Sequence, residues 1–247
     1  MSTTFCSNTI WYIVLGVSTV FEMIFMLNKA KNRKHVIALF LIVSGMTFSI
    51  ELIVFCFLKA YDYYPMIFPQ SPIDDGLAGS LFSQVSITAT AILIAVLNLK
   101  YYWFYIFAGI YGIIEELFLK LGIYSHHWYQ TWMTILGFVI LFGVVKKMSK
   151  SISIYTGHTW RYILMLFGLY PLHMVIIWWP MLLSGIVGIN LKILPDAMMS
   201  YTLISFLNLF VLSIICMIIY FSISKGWLKS IVILFLYITI YFKYNLY

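Results

Sequence analysis

Residues 112–132 read GIIEELFLKLGIYSHHWYQTW, and this stretch decides how the chain is understood. Two adjacent carboxylates, Glu115 and Glu116, sit inside an apolar helical pattern. That helix ends at Lys120 and Leu121-Gly122, ahead of a tyrosine, two histidines and a tryptophan. A carboxylate in hydrocarbon costs at least about 2.5 kcal/mol even on the gentlest scale, so a pair of them inside a membrane span needs partners or a task.

The surrounding composition makes the membrane reading necessary. Of 247 residues, 63% are hydrophobic and 9% charged, with a mean hydropathy of +0.99, whereas a soluble domain carries about 25% charged residues. The expected fold class is all-α, a polytopic transmembrane helix bundle forming a single integral-membrane domain over residues 1–247. The net charge of +7 does not point to nucleic acid, because the 15 basic residues lie in short clusters between apolar runs. Cys6, Cys56 and Cys216 are far apart with no CxxC, which reads as small packing residues and neither a disulfide framework nor a metal site.

Apolar runs of span length fall at residues 9–27, 36–60, 79–97, 101–122, 131–145, 161–189, 200–221 and 227–241, giving eight expected spans. A seven-span alternative stays open at the last. The first run has no positive charge before it and KAKNRKH after it, so it is expected to be an uncleaved span that starts outside.

Orientation follows from the loops. Lys29, Lys31, Arg33, Lys34, Lys100, Lys146, Lys147, Lys150, Arg161, Lys225 and Lys229 fall on one side, and Lys59, Lys120, Lys192 and Lys243 on the other. The richer side is the expected inside. Asp62, Asp74, Asp75 and Asp196 then fall outside. Trp11-Tyr12, Tyr61 to Tyr64 and Trp128 to Trp132 are expected as outer interfacial belts.

At about 1.5 Å per residue, Glu115 lies roughly 10 Å and Glu51 roughly 12 Å below the outer ends of their spans. Asn208 reaches a similar level, and Gln84 lies somewhat nearer the outside. These groups, with Glu116 and the loop acids Asp74 and Asp75, form the candidate ligand-binding set: an acidic pocket or vestibule open to the exterior. Glu116 and Lys120 stand i, i+4, the order that favours an ion pair, which leaves Glu115 to face the bundle. Gln84 and Asn208 read first as interhelical hydrogen-bond glue, the more frequent use of such residues in membranes, and the hydroxyl-rich run SLFSQVSITATA as close helix packing. Glu22, near the inner end of the first span, is expected to snorkel toward the KAKNRKH lysines.

His126, His127 and His173 make a candidate metal set, although adjacent histidines point in different directions and neither HExxH nor His-x3-His spacing is present. No phosphate loop, GxSxG elbow or Ser-x-x-Lys occurs.

The run from Tyr63 to Met148 resembles a group of uncharacterised multi-pass membrane proteins of spore-forming Gram-positive bacteria. The pattern is an external loop with Asp74 and Asp75, a helix carrying Glu115 before Gly122, then Tyr124, His126 and Trp128. The resemblance implies a bacterial plasma-membrane protein and imports no activity. From the residues, the expected function is a non-enzymatic sensor, transporter-like or accessory protein that takes a small cationic or amphipathic ligand from outside. The alternative is an integral-membrane metal-dependent hydrolase. No cofactor and no nucleic acid are expected. The expected partners are the lipid bilayer, the ligand, and a membrane-protein partner or a second copy of the chain.

Overall fold

In hydrocarbon every backbone N–H and C=O must be satisfied within the chain, so long apolar runs fold as helices. The computed structural model describes residues 8–151, 158–175, 194 and 196–245. Eight α-helices lie among them: α1 (Ile10–Lys29), α2 (Arg33–Glu51), α3 (Pro72–Val96), α4 (Tyr102–Lys120), α5 (Thr131–Ser151), α6 (His158–His173), α7 (Ala197–Ser222) and α8 (Gly226–Asn245). A π-helical segment, Leu52–Phe57, continues α2. Among the described residues, six helices are long and apolar enough to cross a membrane: α1, α2 with its π extension, α3, α4, α5 and α7. The rest of the run expected at 161–189 beyond residue 175, together with Cys6, Pro180 and Lys192, lies outside the described residues.

The chain divides into two compact units, Met1–Gly157 and His158–Tyr247. In the first, α3 is the central helix and packs on α1, α2 and α5, while α4 packs on α5. Small residues make this approach possible, with Ala78, Ser80, Ser86, Ala89 and Ala91 all buried on α3. A core of Met26, Val36, Leu39, Val43, Ile92, Phe104, Phe142 and Val145 fills the end of this unit that carries the basic connections. There Lys146 donates to the Leu99 carbonyl. In the second unit α6 packs on α7 and α7 on α8.

Two strands too short to register in the sequence are added to this helical frame. β1 (Tyr61–Tyr63) and β2 (Tyr124–His126) pair antiparallel in the register Tyr61 to His126, Asp62 to Ser125 and Tyr63 to Tyr124. Helix α4 delivers β2 through a left-handed C-terminus: Gly122 has φ 69°, the Gly122 N–H donates to the Leu119 carbonyl, and the Ile123 N–H donates to the Phe118 carbonyl. The Ile123 carbonyl then accepts from the Tyr12 hydroxyl at 2.7 Å and the Tyr64 N–H at 3.0 Å, tying α1, β1 and the end of α4 together.

Several expectations are corrected here. Helix α3 starts at Pro72, seven residues before the expected position, with proline at a position where its missing N–H costs nothing. Asp74 and Asp75 are therefore first-turn helical residues and not a free loop. Tyr12, Tyr61 and Tyr63 are buried and do not form an interfacial belt. Glu22 turns to α3, accepting from Thr90 Oγ1 at 3.1 and 3.0 Å on its two oxygens, and Tyr111 completes the link at 2.9 Å from Thr90. A neutral hydroxyl inside the bundle was nearer than the lysines at its end.

Candidate functional site

A cavity of about 220 Å³ lies in the first unit beneath the ribbon, lined by residues of α1 to α5 and of both strands. The ribbon builds its roof through the two-residue period of extended backbone. Tyr61 and Tyr63 of β1 and Tyr124 of β2 face inward, while Asp62 and Ser125 between them face outward. The inward rings pack edge-on or tilted, with centroids 5.5 Å apart for Tyr61 and Tyr63, 5.3 Å for Tyr61 and Tyr124, and 5.1 Å for Tyr61 and Tyr129. Tyr12 and Tyr111 add rings from α1 and α4. Burial pushes the phenols of Tyr61, Tyr63, Tyr124 and Tyr129 above the usual tyrosine range, so they stay neutral hydrogen-bonding groups.

Glu51, at the last residue of α2, is 6% exposed and lines the cavity. Its Oε2 accepts from the Tyr61 hydroxyl at 2.6 Å and Gln84 Nε2 at 2.8 Å. Its Oε1 accepts from the Tyr63 hydroxyl at 3.0 Å and Ser80 Oγ at 3.1 Å. Four neutral donors surround one acid. The second acid in the lining is Glu115 of α4, whose Oε1 is 2.7 Å from His126 Nε2 on β2. Among the described residues, no Lys or Arg lines the cavity.

Residues more than sixty positions apart in sequence, Glu51 and Glu115, thus line one cavity, with Gln84 beside Glu51. The other predicted residues go elsewhere. Glu116 is exposed and accepts from Thr131 Oγ1 at 2.5 Å; the ion pairs among the described residues do not include Glu116 with Lys120. Asp75 is buried and committed to backbone: Oδ1 accepts from the Ile67 and Phe68 N–H groups at 2.7 and 2.9 Å, and Oδ2 from the Met66 N–H at 3.0 Å. It fastens the segment between β1 and α3. Asp74 is half-buried, and neither aspartate is among the residues that line the cavity. Asn208 is an exposed position of α7 in the second unit.

The histidines part company. His126 bonds to Glu115, while His127 Nε2 lies 2.8 Å from Asp62 Oδ2 on the outward side of the ribbon. His173, in the second unit, is hydrogen-bonded through Nδ1 to Ser213 Oγ at 2.7 Å. No group of three or more His, Cys, Asp or Glu able to hold a metal occurs among the described residues.

Tyr61 and Tyr63, of the tyrosine-rich loop expected to meet the ligand, and Ser80, expected as a packing hydroxyl, all donate to Glu51, while Tyr124 and Tyr129 line the cavity and had no site role in the sequence. The available signal was the alternation of Tyr61 with Tyr63 and of Tyr124 with His126, flanking one outward residue each. Compared with protein-family models, with curated proteins and with solved structures, the chain matches none.

Proposed function

We propose that the protein is a non-enzymatic, multi-pass membrane protein that takes a small cationic or amphipathic ligand from outside into the cavity of Glu51 and Glu115. It crosses the plasma membrane of a bacterium eight times, with its N-terminus outside. The observation that carries the reading is electrostatic. Two carboxylates from different helices line one aromatic cavity whose lining holds no Lys or Arg, and a low-dielectric wall focuses that negative field on whatever enters. The loops support the orientation: within the first unit Lys29, Lys31, Arg33, Lys34, Lys100, Lys146, Lys147 and Lys150 lie at the helix ends away from the ribbon, and Lys59 and Lys120 at the ribbon end.

Two measurements test this. Thermal-shift titration of the purified protein in nanodiscs with organic cations and matched anions is expected to give saturable stabilisation by cations only, weakened by Glu115→Gln. Stabilisation by anions alone, or by neither, overturns the ligand reading. Single cysteines replacing Asn32 and Gln70 test the orientation; an impermeant maleimide applied to whole cells should label position 70 and spare position 32.

A further inference from the structure

The four donors on Glu51 narrow the chemistry of the cation. A carboxylate offers about four lone-pair directions, and Tyr61, Gln84, Tyr63 and Ser80 occupy two on each oxygen. Other polar atoms of the lining are also engaged. Glu115 Oε1 meets His126, the Tyr111 hydroxyl meets Ser86 and Thr90 at 2.9 Å each, the Tyr12 hydroxyl donates to the Ile123 carbonyl, and the Tyr129 hydroxyl accepts from Thr134 at 3.3 Å.

A primary ammonium brings three N–H donors that must be satisfied once water is stripped from it. At Glu51 it would have to displace an existing donor for each. A cation without N–H groups has no such demand. It needs only negative potential, which four neutral donors do not cancel, and polarisable aromatic wall, which Tyr12, Tyr61, Tyr63, Tyr111, Tyr124 and Tyr129 supply. The volume of about 220 Å³ lies below the roughly 300–1,000 Å³ of sites that take drug-sized ligands, so the occupant is headgroup-sized.

Resting on the proposed cation-binding function, we infer that this cavity is a quaternary ammonium site, built for a trimethylammonium group of the choline kind. Free choline and the choline headgroup of a lipid share that group; the phosphate of the latter would face two carboxylates.

The test is a calorimetric titration of the full chain in phosphatidylglycerol nanodiscs with choline, ethanolamine, the neutral choline isostere dimethylbutanol, and glycerophosphocholine. Choline is expected to bind about tenfold or more tighter than both ethanolamine and dimethylbutanol, the range that cation–π contacts supply. Glycerophosphocholine tighter than choline would keep the trimethylammonium assignment and name a lipid headgroup as the source. Ethanolamine equal to or tighter than choline would overturn the inference and leave cation binding standing. Dimethylbutanol equal to choline, or no binding by any of the four, would overturn both. Tyr129→Phe keeps the ring and should bind choline within about twofold of the native chain, whereas Tyr129→Leu should lose about tenfold. To separate loss of the ring from a loosened fold, the unliganded thermal midpoint is measured alongside, and Tyr124→Leu serves as the second variant. Undiminished choline binding in both folded leucine variants would overturn the aromatic site.

Discussion

His126 Nε2 lies 2.7 Å from Glu115 Oε1, which fastens the inward face of the ribbon to a helix that lines the cavity. The ribbon's other ties include the Tyr61 and Tyr63 hydroxyls to Glu51 at 2.6 and 3.0 Å, the backbone pairing of its two strands, the His127 N–H to the Ala60 carbonyl at 2.9 Å, and Trp128 Nε1 to the Leu58 carbonyl at 2.7 Å. The His126 bond is thus a side-chain latch from the roof to the wall. A hydrogen bond to a charged group contributes about 1.5–3 kcal/mol. His126→Leu is therefore expected to speed amide exchange at Tyr61, Tyr63 and Tyr124 by about tenfold or more, while His126→Gln, which can still donate, recovers part of the protection. Unchanged exchange in the leucine variant would show that the backbone pairing and the Glu51 bonds hold the roof without His126.

Tyr63 reaches Glu51 only because Gly79 lets it close on α3. A Cβ built on Gly79 would stand 2.5 Å from Tyr63 Cβ and 3.3 Å from Pro65 Cδ, atoms near the backbone that cannot swing away. Gly79→Ala is expected to cost about 1–3 kcal/mol and to move the Tyr63 hydroxyl off Glu51. Gly109 on α4 is the control: a Cβ there meets nothing within 4 Å, so Gly109→Ala should stabilise by up to about 1 kcal/mol. Thermal midpoints in one detergent decide it, and equal shifts in both variants would refute the close approach.

Asp75 is a structural acid. Met66, which donates to it, adopts φ 55°, a left-handed conformation that a non-glycine residue holds only when its surroundings enforce it. Asp75→Ala would strand three N–H groups at Met66, Ile67 and Phe68, and about 2 kcal/mol or more of stability is expected to go with them. Limited proteolysis should find residues 64–71 cut faster in this variant, with cation binding retained by the protein that stays folded. Loss of cation binding at full stability would instead place Asp75 in the ligand site.

The helices were legible from the sequence because hydropathy over twenty residues is a strong signal, and Glu51 and Glu115 could be grouped because rise per residue is fixed. Partners were harder to read. The i, i+4 rule paired Glu116 with Lys120, but Thr131 at the start of α5 lay closer in space than the sequence discloses. Tyrosines near a span end read as belt residues by composition. Tyr61 and Tyr63 are instead turned inward by a three-residue strand, whose pairing partner lies more than sixty residues away. An aspartate pair after proline read as loop charge, since nothing local reveals that Asp75 receives the backbone of the preceding segment. Apart from the early start of α3 at Pro72, these errors concern tertiary contacts, which no local period encodes.

Thr90 bridges Glu22 and Tyr111, and this bridge makes a prediction about α1 and α3. Its hydroxyl lies 3.0 and 3.1 Å from the two Glu22 oxygens and 2.9 Å from the Tyr111 hydroxyl. Removing one member of a buried polar pair costs the desolvation of the member left behind, about 1–3 kcal/mol or more for a charged group, whereas replacing both by apolar side chains can be nearly neutral. Thr90→Val, which keeps the shape and drops the hydroxyl, is therefore expected to destabilise by about 1–3 kcal/mol. Adding Glu22→Leu to it should return most of that loss. A double-mutant cycle on chemical denaturation midpoints measures the coupling directly. Additive effects of the two changes would mean that Glu22 draws its stabilisation from elsewhere, as it would if it reached past Thr90 to the lysines at the end of α1.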